Sequence, residues 1–268
     1  MAIQQSMRGN SSWTVGMLIC LLLILLRGNH FLPLYFFEGL ASLTVAMGLA
    51  ILSGKIDVLG GLVGGLIGLG IFVGGGFVAL GLLLVFFMAG SAVSHWRKNE
   101  KTLMGLEQEN QGKRSVRHAI ANGGIAAICG LLAWGFPAYS AVLLTALAAS
   151  FASAAADTFS SELGNVYGRR YVDVLTFKPG IKGQDGIISL EGSLLGALGS
   201  LLIALAFGMG HGWSGDVLLV WGTGLIGNHM DSILGASVQR RGQLNNDEVN
   251  LLSTLIAAII GGLAASLV

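Results

Sequence analysis

Apolar residues fill this chain in long runs separated by short polar stretches, at about 13–26, 32–53, 58–73, 76–94, 118–135, 139–163, 187–208, 216–237 and 249–268. A bilayer core takes about 20 apolar residues per helix. The pattern therefore predicts an all-α fold, a polytopic integral membrane helical bundle of nine transmembrane segments, or eight if the short first run does not span. That first run lies between Arg8 and Arg27, and no small-residue cleavage site follows it, so it is not read as a signal peptide. The stretch Val58–Gly90 is too long for one helix. The adjacent Gly74, Gly75 and Gly76 disfavour helix continuation and predict a break there. The chain reads as a single transmembrane domain over 1–268, with mostly apolar spans in 1–94, a basic loop at 95–117, and helices with polar ends in 118–268.

Composition narrows the class further. The 268 residues are 53% hydrophobic and 11% charged, with a mean hydropathy of +0.75. A soluble domain carries about 25% charged residues, so a soluble enzyme, a secreted scaffold and a disordered chain are excluded. Glycine supplies 42 residues against 3 prolines, as expected of membrane helices packed through small residues. The glycine-rich stretch Gly60–Gly76 reads as helix packing in preference to a groove for an isoprenoid tail. A formal net charge of +1 argues against nucleic acid as a partner, which calls for a basic face. Cys20 and Cys129 lie inside apolar runs and read as packing residues.

Orientation follows from Lys and Arg in the short loops. With the loop His95–Arg117 cytoplasmic, alternation places every Lys and Arg except Arg27 on the cytoplasmic side, so the N-terminus is expected in the cytoplasm. The expected location is thus a multi-pass membrane protein of a bacterial inner, plasma or plastid-type membrane.

Polar residues interrupt the helices of the second half at ends that this topology places on the cytoplasmic face. Asn122 opens the fifth segment, and Asp157, Thr158, Ser160, Ser161 and Glu162 close the sixth. Ser189, Glu191 and Ser193 open the seventh; Asn228, Asp231, Ser232 and Gln239 close the eighth; Asn246, Asp247, Asn250, Ser253 and Thr254 open the ninth. Residues i, i+3, i+4 and i+7 share a helix face. Asp157 aligns with Ser161 and Thr158 with Glu162, while Asn228, Asp231, Ser232, Gly235 and Gln239 form one stripe. A carboxylate facing lipid costs about 2.5 kcal/mol or more, so these groups are expected to face a partner, water or an ion. Asp157 with Asp231 reads as a site for a hard divalent cation, Mg²⁺ above all, with Glu162 or Glu191 to complete it.

The loop Gly164–Gly186 brings Arg169, Arg170, Lys178 and Lys182 among glycines, including Gly186, and reads as a phosphate clamp. No G-x-x-x-x-G-K-[ST] occurs, which excludes a Walker-type nucleotide site. The five histidines are scattered, and His229, one position off the Asn228–Asp231 stripe, is expected in the core. Glu38, in the otherwise apolar second segment, reads as an interfacial side chain or a proton-coupling residue of a transporter.

The segments Ala156-Asp157-Thr158-Phe159-Ser160-Ser161-Glu162-Leu163-Gly164, Gly183-x-x-Gly186-x-x-Ser189-x-x-Gly192, Asp231-Ser232-Ile233-Leu234-Gly235-Ala236 and Asn246-Asp247-x-Val249-Asn250, together with Asn122-Gly123-Gly124, resemble one family. It is the integral membrane family that includes the plant phytyl-phosphate kinase of the vitamin E pathway and the animal transmembrane protein nineteen. The resemblance covers about residues 35–268. It departs at Phe159, where many members carry tryptophan. A more distant similarity of pattern, through Asp157, Ser161, Gly164, Gly168, Arg169, Lys178 and Glu191-Gly192-Ser193, links the chain to CTP-using membrane enzymes such as dolichol kinase and phosphatidate cytidylyltransferase.

The resemblance implies a kinase that converts an isoprenoid alcohol monophosphate, such as phytyl phosphate, to the diphosphate, with CTP favoured over other nucleoside triphosphates. In that reading Asp157 and Asp231 hold Mg²⁺, supported by Glu162 and Asn228. Lys178, Lys182 and Arg169 stabilise phosphoryl charge. Asn122, Ser161, Gly186, Ser189, Glu191, Ser232, Gln239, Asn246 and Asn250 bind nucleotide and substrate. The expected partners are the nucleotide, an isoprenoid phosphate lipid and the membrane, and a homodimer is compatible with the sequence. Two other classes stand beside it: a transporter or flippase of a polyprenyl phosphate or small anion, and a cytidylyltransferase-like enzyme. A transporter should gather its polar groups at the bilayer midplane, which the clustering at helix ends opposes.

Overall fold

The computed structural model describes residues 35–106 and 115–268. The expected first segment at 13–26 lies outside the described residues. The described chain runs α1 (Phe36–Leu52), α2 (Val58–His95), α3 (Lys98–Leu103), α4 (Val116–Gly135), α5 (Ser140–Tyr167), strands β1 (Tyr171–Asp173) and β2 (Ile187–Ser189), then α6 (Leu190–His211), α7 (Gly215–Leu234) and α8 (Asn246–Ala265). Five stretches are long and apolar enough to cross a membrane: Val58–His95, Val116–Gly135, Pro137–Tyr167, Leu190–His211 and Asn246–Ala265. The polar residues of α7 keep it out of that group, and α1 is shorter at 17 residues.

The 38 residues of α2 do not form one rod. Gly76 leaves the helical region (φ 60°, ψ −154°), a conformation open to glycine and costly for other residues. A Cβ on Gly68 would stand 3.4 Å from the Leu83 side chain, although the same separation along a continuous helix is about 22 Å. The chain therefore doubles back at Gly76, and α2 is a helical hairpin with limbs 58–75 and 77–95, as the glycine triplet led one to expect. The glycine-rich first limb packs on α4, again as expected: a Cβ on Gly74 would fall 1.9 Å from the Gly130 carbonyl oxygen, and one on Gly130 2.4 Å from that of Gly70. Backbone rests on backbone there, which only glycine allows.

The centre of the bundle is α5, which packs against α2, α4, α6, α7 and α8. Its residues from Thr145 to Ala156 are all buried, and most are Ala or Ser, so neighbouring helices approach it from every side. Gly196 and Gly199 of α6, Gly224 and Gly227 of α7, and Gly261 of α8 would each drive an added Cβ into α5 atoms. Small residues at helix contacts are the usual membrane solution, since van der Waals packing holds the helices together once apolar side chains already face lipid. Larger side chains fill the remaining gaps, with Phe86 of α2 stacked on Phe151 of α5 at 5.5 Å between ring centroids. Cys129 is buried on α4 in this packing.

Local capping fixes where the helices begin. Asn245 accepts from the Glu248 N–H while the Glu248 carboxylate accepts from the Asn245 N–H, a reciprocal capping box that starts α8. Ser189 accepts from Gly192 N–H at 3.0 Å and starts α6. At its far end α7 passes into one π-helical turn, Gly235–Gln239. The C-terminal ends of α5 and α7 and the N-terminal ends of α4, α6 and α8 thus gather at one end of the bundle. At the other end lie the Gly76 reversal, which brings Val78 against Gly210, and the short turns between α4 and α5 and between α6 and α7.

Candidate active site

At the polar end the helix termini enclose a cavity of about 400 Å³. From α5 it receives Asp157, Thr158, Ser160, Ser161 and Glu162; from α7 and its π turn, Asp231, Ser232, Gly235 and Gln239; from α8, Asn246 and Asn250. His118 of α4 and the Gly105–Leu106 stretch after α3 close one side. The cover is the β1–β2 hairpin and the loop between its strands, which contribute Tyr171, Gly183, Gln184, Asp185, Gly186, Ile187, Ile188 and Ser189.

The cover is a built structure rather than an open glycine loop. β1 pairs antiparallel with β2, Tyr171 opposite Ser189 and Asp173 opposite Ile187. Asp173 Oδ1 accepts the N–H groups of Leu175 and Thr176, at 3.0 and 2.9 Å, and so fixes the turn. Arg240, just past the π turn, pairs with the Asp173 carboxylate and donates from Nε to the Asp185 carbonyl at 2.7 Å. The guanidinium, with the Thr176 N–H, holds the Asp173 carboxyl down at about 2. Gly186 (φ 70°) seats the loop on the π turn, where a Cβ would meet Ala236 at 2.3 Å. The Tyr171 hydroxyl donates toward the carbonyls of Gly164 and Gly168, at 2.9 and 3.0 Å. Burial, and then the Glu191 carboxylate, raise its pKa.

Two wall carboxylates, Asp157 and Asp231, stand apart from the cations of the described residues. Among the described residues, neither Asp157 nor Asp231 has a Lys or Arg within ion-pair reach, and no Lys or Arg lines the cavity. Asp231 lies close enough to Asp157 and Asp185 to interact electrostatically with both, and it accepts a hydrogen bond from Ser253 at 3.2 Å. Among the described residues no three His, Cys, Asp or Glu side chains come together as a metal-binding group. The oxygen-only set of two carboxylates with Asn and Ser nevertheless has the chemistry of a hard-cation site.

Ten of the expected site residues meet at this cavity: Asp157, Ser161, Glu162, Gly186, Ser189, Asp231, Ser232, Gln239, Asn246 and Asn250. Two of them have structural duties. Ser189 is a buried helix cap, and Glu162 is engaged by the Lys101 ammonium, which also donates to the carbonyls of Ser94 and Val93, at 2.8 and 3.3 Å. All three ammonium protons are thereby used, and Glu162, expected as a metal ligand, stands in a buried ion pair. The expected clamp is also corrected in position. Arg169 and Lys178 are exposed on the hairpin side, with the Arg169 N–H donating to Glu191 at 3.3 Å. Lys182 lies 5.9 Å above the Tyr171 ring, with its ammonium 3.3 Å from the Met104 sulfur. Asn122 donates to the His118 carbonyl at 3.1 Å, and Asn228 packs against Gly196 between α7 and α6. None of these residues, nor Glu191, lines the cavity. His229, expected in the core, is exposed, with its ring nitrogen 2.9 Å from the Leu225 carbonyl. Glu38 stands exposed in the first turn of α1.

The wall also holds residues that the pattern of helix ends did not single out. His118, Tyr171, Gln184 and Asp185 come from a helix start and from the cover. Gln184 and Asp185 sit inside the Gly183–Gly186 motif, so that spacing carried a signal for them. Lys101 had none, being one of several cations in the basic loop.

Comparison with known proteins agrees with this architecture. Residues 40–258 match the family described as "Integral membrane protein DUF92". The chain belongs to that family. It is 40% identical over 195 residues to an uncharacterized membrane protein of Methanocaldococcus jannaschii, MJ0933, covering 69% of this chain and 76% of that one. It is 31% identical over 182 residues to an uncharacterized membrane protein of Synechocystis, sll0875, covering 67% and 70%. The chloroplastic protein VTE6 of Arabidopsis thaliana is 31% identical over 189 residues, 67% of this chain and 57% of the plant protein. No solved structure matches the chain.

Proposed function

We propose that this membrane protein is a phosphotransferase that converts an isoprenoid alcohol monophosphate, of the phytyl phosphate type, to the diphosphate with a nucleoside triphosphate, CTP favoured, and Mg²⁺. The observation that carries the reading is the cavity at one end of the bundle, lined by Asp157 and Asp231 and, among the described residues, by no Lys or Arg. Family membership alongside the chloroplastic VTE6 protein supports it. A charged acceptor and a soluble donor meet most easily at the end of a bundle, with the lipid tail between helices or in the bilayer. A site deep between helices would suit a carrier better.

Phosphoryl transfer needs positioning and charge neutralisation more than covalent chemistry. Asp157 and Asp231 would hold Mg²⁺, which when bound supplies positive charge beside them and screens donor phosphates from the carboxylates. Asn246, Ser232 and Gln239 offer amide and hydroxyl groups to orient phosphate or ribose. The backbone of Gln184–Gly186, held by Arg240 and seated on the π turn, offers close approach without side-chain bulk. The acceptor is already an ionised phosphate, so no strong general base is required. Arg169, Lys178 and Lys182, set around the cavity instead of in it, draw anions toward the site.

The test follows label from α- and γ-labelled CTP and ATP, with phytyl or farnesyl monophosphate and the purified protein. γ-Label in a lipid diphosphate supports the kinase. α-Label in the lipid would make the protein a cytidylyltransferase. No transfer with any pair, beside flux of the prenyl phosphate across liposomes, would make it a transporter.

A further inference from the structure

Asn250 stands on α8 with 6% of its surface exposed and lines the cavity. Its side-chain oxygen has no hydrogen-bond partner among the described residues. A buried amide oxygen left without a donor loses the free energy of its hydration with nothing in return, so its orientation calls for a ligand. One turn further along α8, the Ser253 hydroxyl bonds both the Asn250 carbonyl, at 2.9 Å, and the Asp231 carboxylate, at 3.2 Å. This turn of α8 therefore faces Asp231. Asp231 in turn interacts electrostatically with Asp157, and among the described residues neither carboxylate has a Lys or Arg within ion-pair reach. Three oxygen-bearing side chains from three helices thus line one cavity, with two negative charges and one unused lone-pair donor.

We propose that Asp157, Asp231 and Asn250 together form a site for one hard divalent cation, with Asn250 as the neutral third ligand, and that this site takes the cation before and without the nucleotide. The inference deepens the phosphotransferase reading by fixing the ligand set of its cation. Two carboxylates and an amide oxygen suit a cation of the Mg²⁺ or Mn²⁺ class, which favours oxygen ligands and keeps several waters. Those waters are the positions that phosphate oxygens would later take. The Ser253 hydroxyl, hydrogen-bonded to Asp231, would hold that carboxylate in its ligating orientation. Glu162 stays outside the set because Lys101 neutralises it.

The experiment measures Mn²⁺ binding to the purified full chain in detergent by electron paramagnetic resonance, with no nucleotide or lipid present and with Mg²⁺ as competitor. One bound Mn²⁺ per chain, displaced by Mg²⁺, is expected. Asn250→Ala should weaken binding on the order of tenfold or more, as for a lost ligand or ligand-orienting group. Asn250→Asp, which restores an oxygen ligand, should bind at least as well as the parent. The gel-filtration profile and melting curve of each variant establish that it is folded. Parent-like binding in Asn250→Ala, with loss in Asp157→Asn and Asp231→Asn, would remove Asn250 from the set. Absence of any Mg²⁺-displaceable Mn²⁺ in the folded parent would overturn the site altogether. If Mg²⁺-dependent transfer persisted in that case, the phosphotransferase reading would stand with its metal arriving on the nucleotide. Binding as expected without transfer would keep the site and sink the kinase.

Discussion

The seam between α2 and α4 and the junction of α5, α7 and α8 are built from the same small residues to opposite ends. At the seam, Gly74 and Gly130 rest on the carbonyls of Gly130 and Gly70, backbone against backbone, and leave no room even for a methyl group. At the junction, Ala152, Ser153, Gly224, Gly227 and Gly261 draw the helices equally close. Their polar-end turns then open into a cavity where, among the described residues, Asp157 and Asp231 have no cation within ion-pair reach and the Asn250 side-chain oxygen has no hydrogen-bond partner. Close packing alone therefore yields a scaffold, and the same packing ended by Asp, Asn and Ser yields a site. The seam should govern stability and the junction's end should govern activity.

The variant that cuts across this division should show the largest effect. Lys101 and Glu162 sit at the polar end but form a buried pair, with side chains 4% and 6% exposed. Lys101→Met leaves a buried carboxylate uncompensated and should destabilise the fold by about 3–5 kcal/mol. The Lys101→Met, Glu162→Gln double variant should recover most of the loss, as read by thermal unfolding in detergent. A lone Lys101→Met that melts like the parent would show the pair to be solvated.

Next in size is the effect on catalysis. Asp157→Asn and Asp231→Asn should each lower phosphoryl transfer by roughly 10²–10³-fold, the scale of losing one preorganised electrostatic group, with the melting temperature kept or raised. A variant that unfolds instead would move that residue to the scaffold.

Gly130→Val presses a branched side chain onto the Gly70 carbonyl and should cost about 3 kcal/mol, while Gly81→Ala, which meets nothing within 4 Å, should leave the melting temperature unchanged. Equal behaviour of the two would contradict the backbone contact.

The smallest effect concerns the cover. Arg240, with the Thr176 N–H, lowers the folded-state pKa of Asp173 to about 2, below the ordinary value of 3.8. The ion pair therefore contributes fully above about pH 4 and is lost as pH falls toward 2. Protease cleavage within 171–189 should rise over that window. In Arg240→Ala it should be high at neutral pH, where the parent is protected.

Much of this was legible in the residues. Hydropathy runs marked the apolar helices and the glycine triplet marked the reversal of α2, because both effects are local. The polar ends of α5, α7 and α8 were legible because a carboxylate within an apolar run has few places to go. What escaped depended on pairings across the fold. Lys101 looked like any other basic loop residue, and only its position against α5 shows why it is buried. The Gly164–Gly186 loop reads as a phosphate clamp because its glycines and cations stand out, whereas the β1–β2 pairing depends on register between residues 14 to 18 apart. Lys178 was set in the clamp by its charge, and charge alone does not say which way a hairpin turns its side chains.

The most direct test of the account places transfer by Asp157→Asn beside transfer by Lys178→Ala, with γ-labelled CTP and phytyl phosphate at saturating Mg²⁺. If the cavity is the site and the basic hairpin only surrounds it, the first variant loses activity by roughly 10²-fold or more, and the second stays within a few-fold of the parent. Loss in Lys178→Ala with activity retained in Asp157→Asn would contradict the account and move the chemistry onto the hairpin.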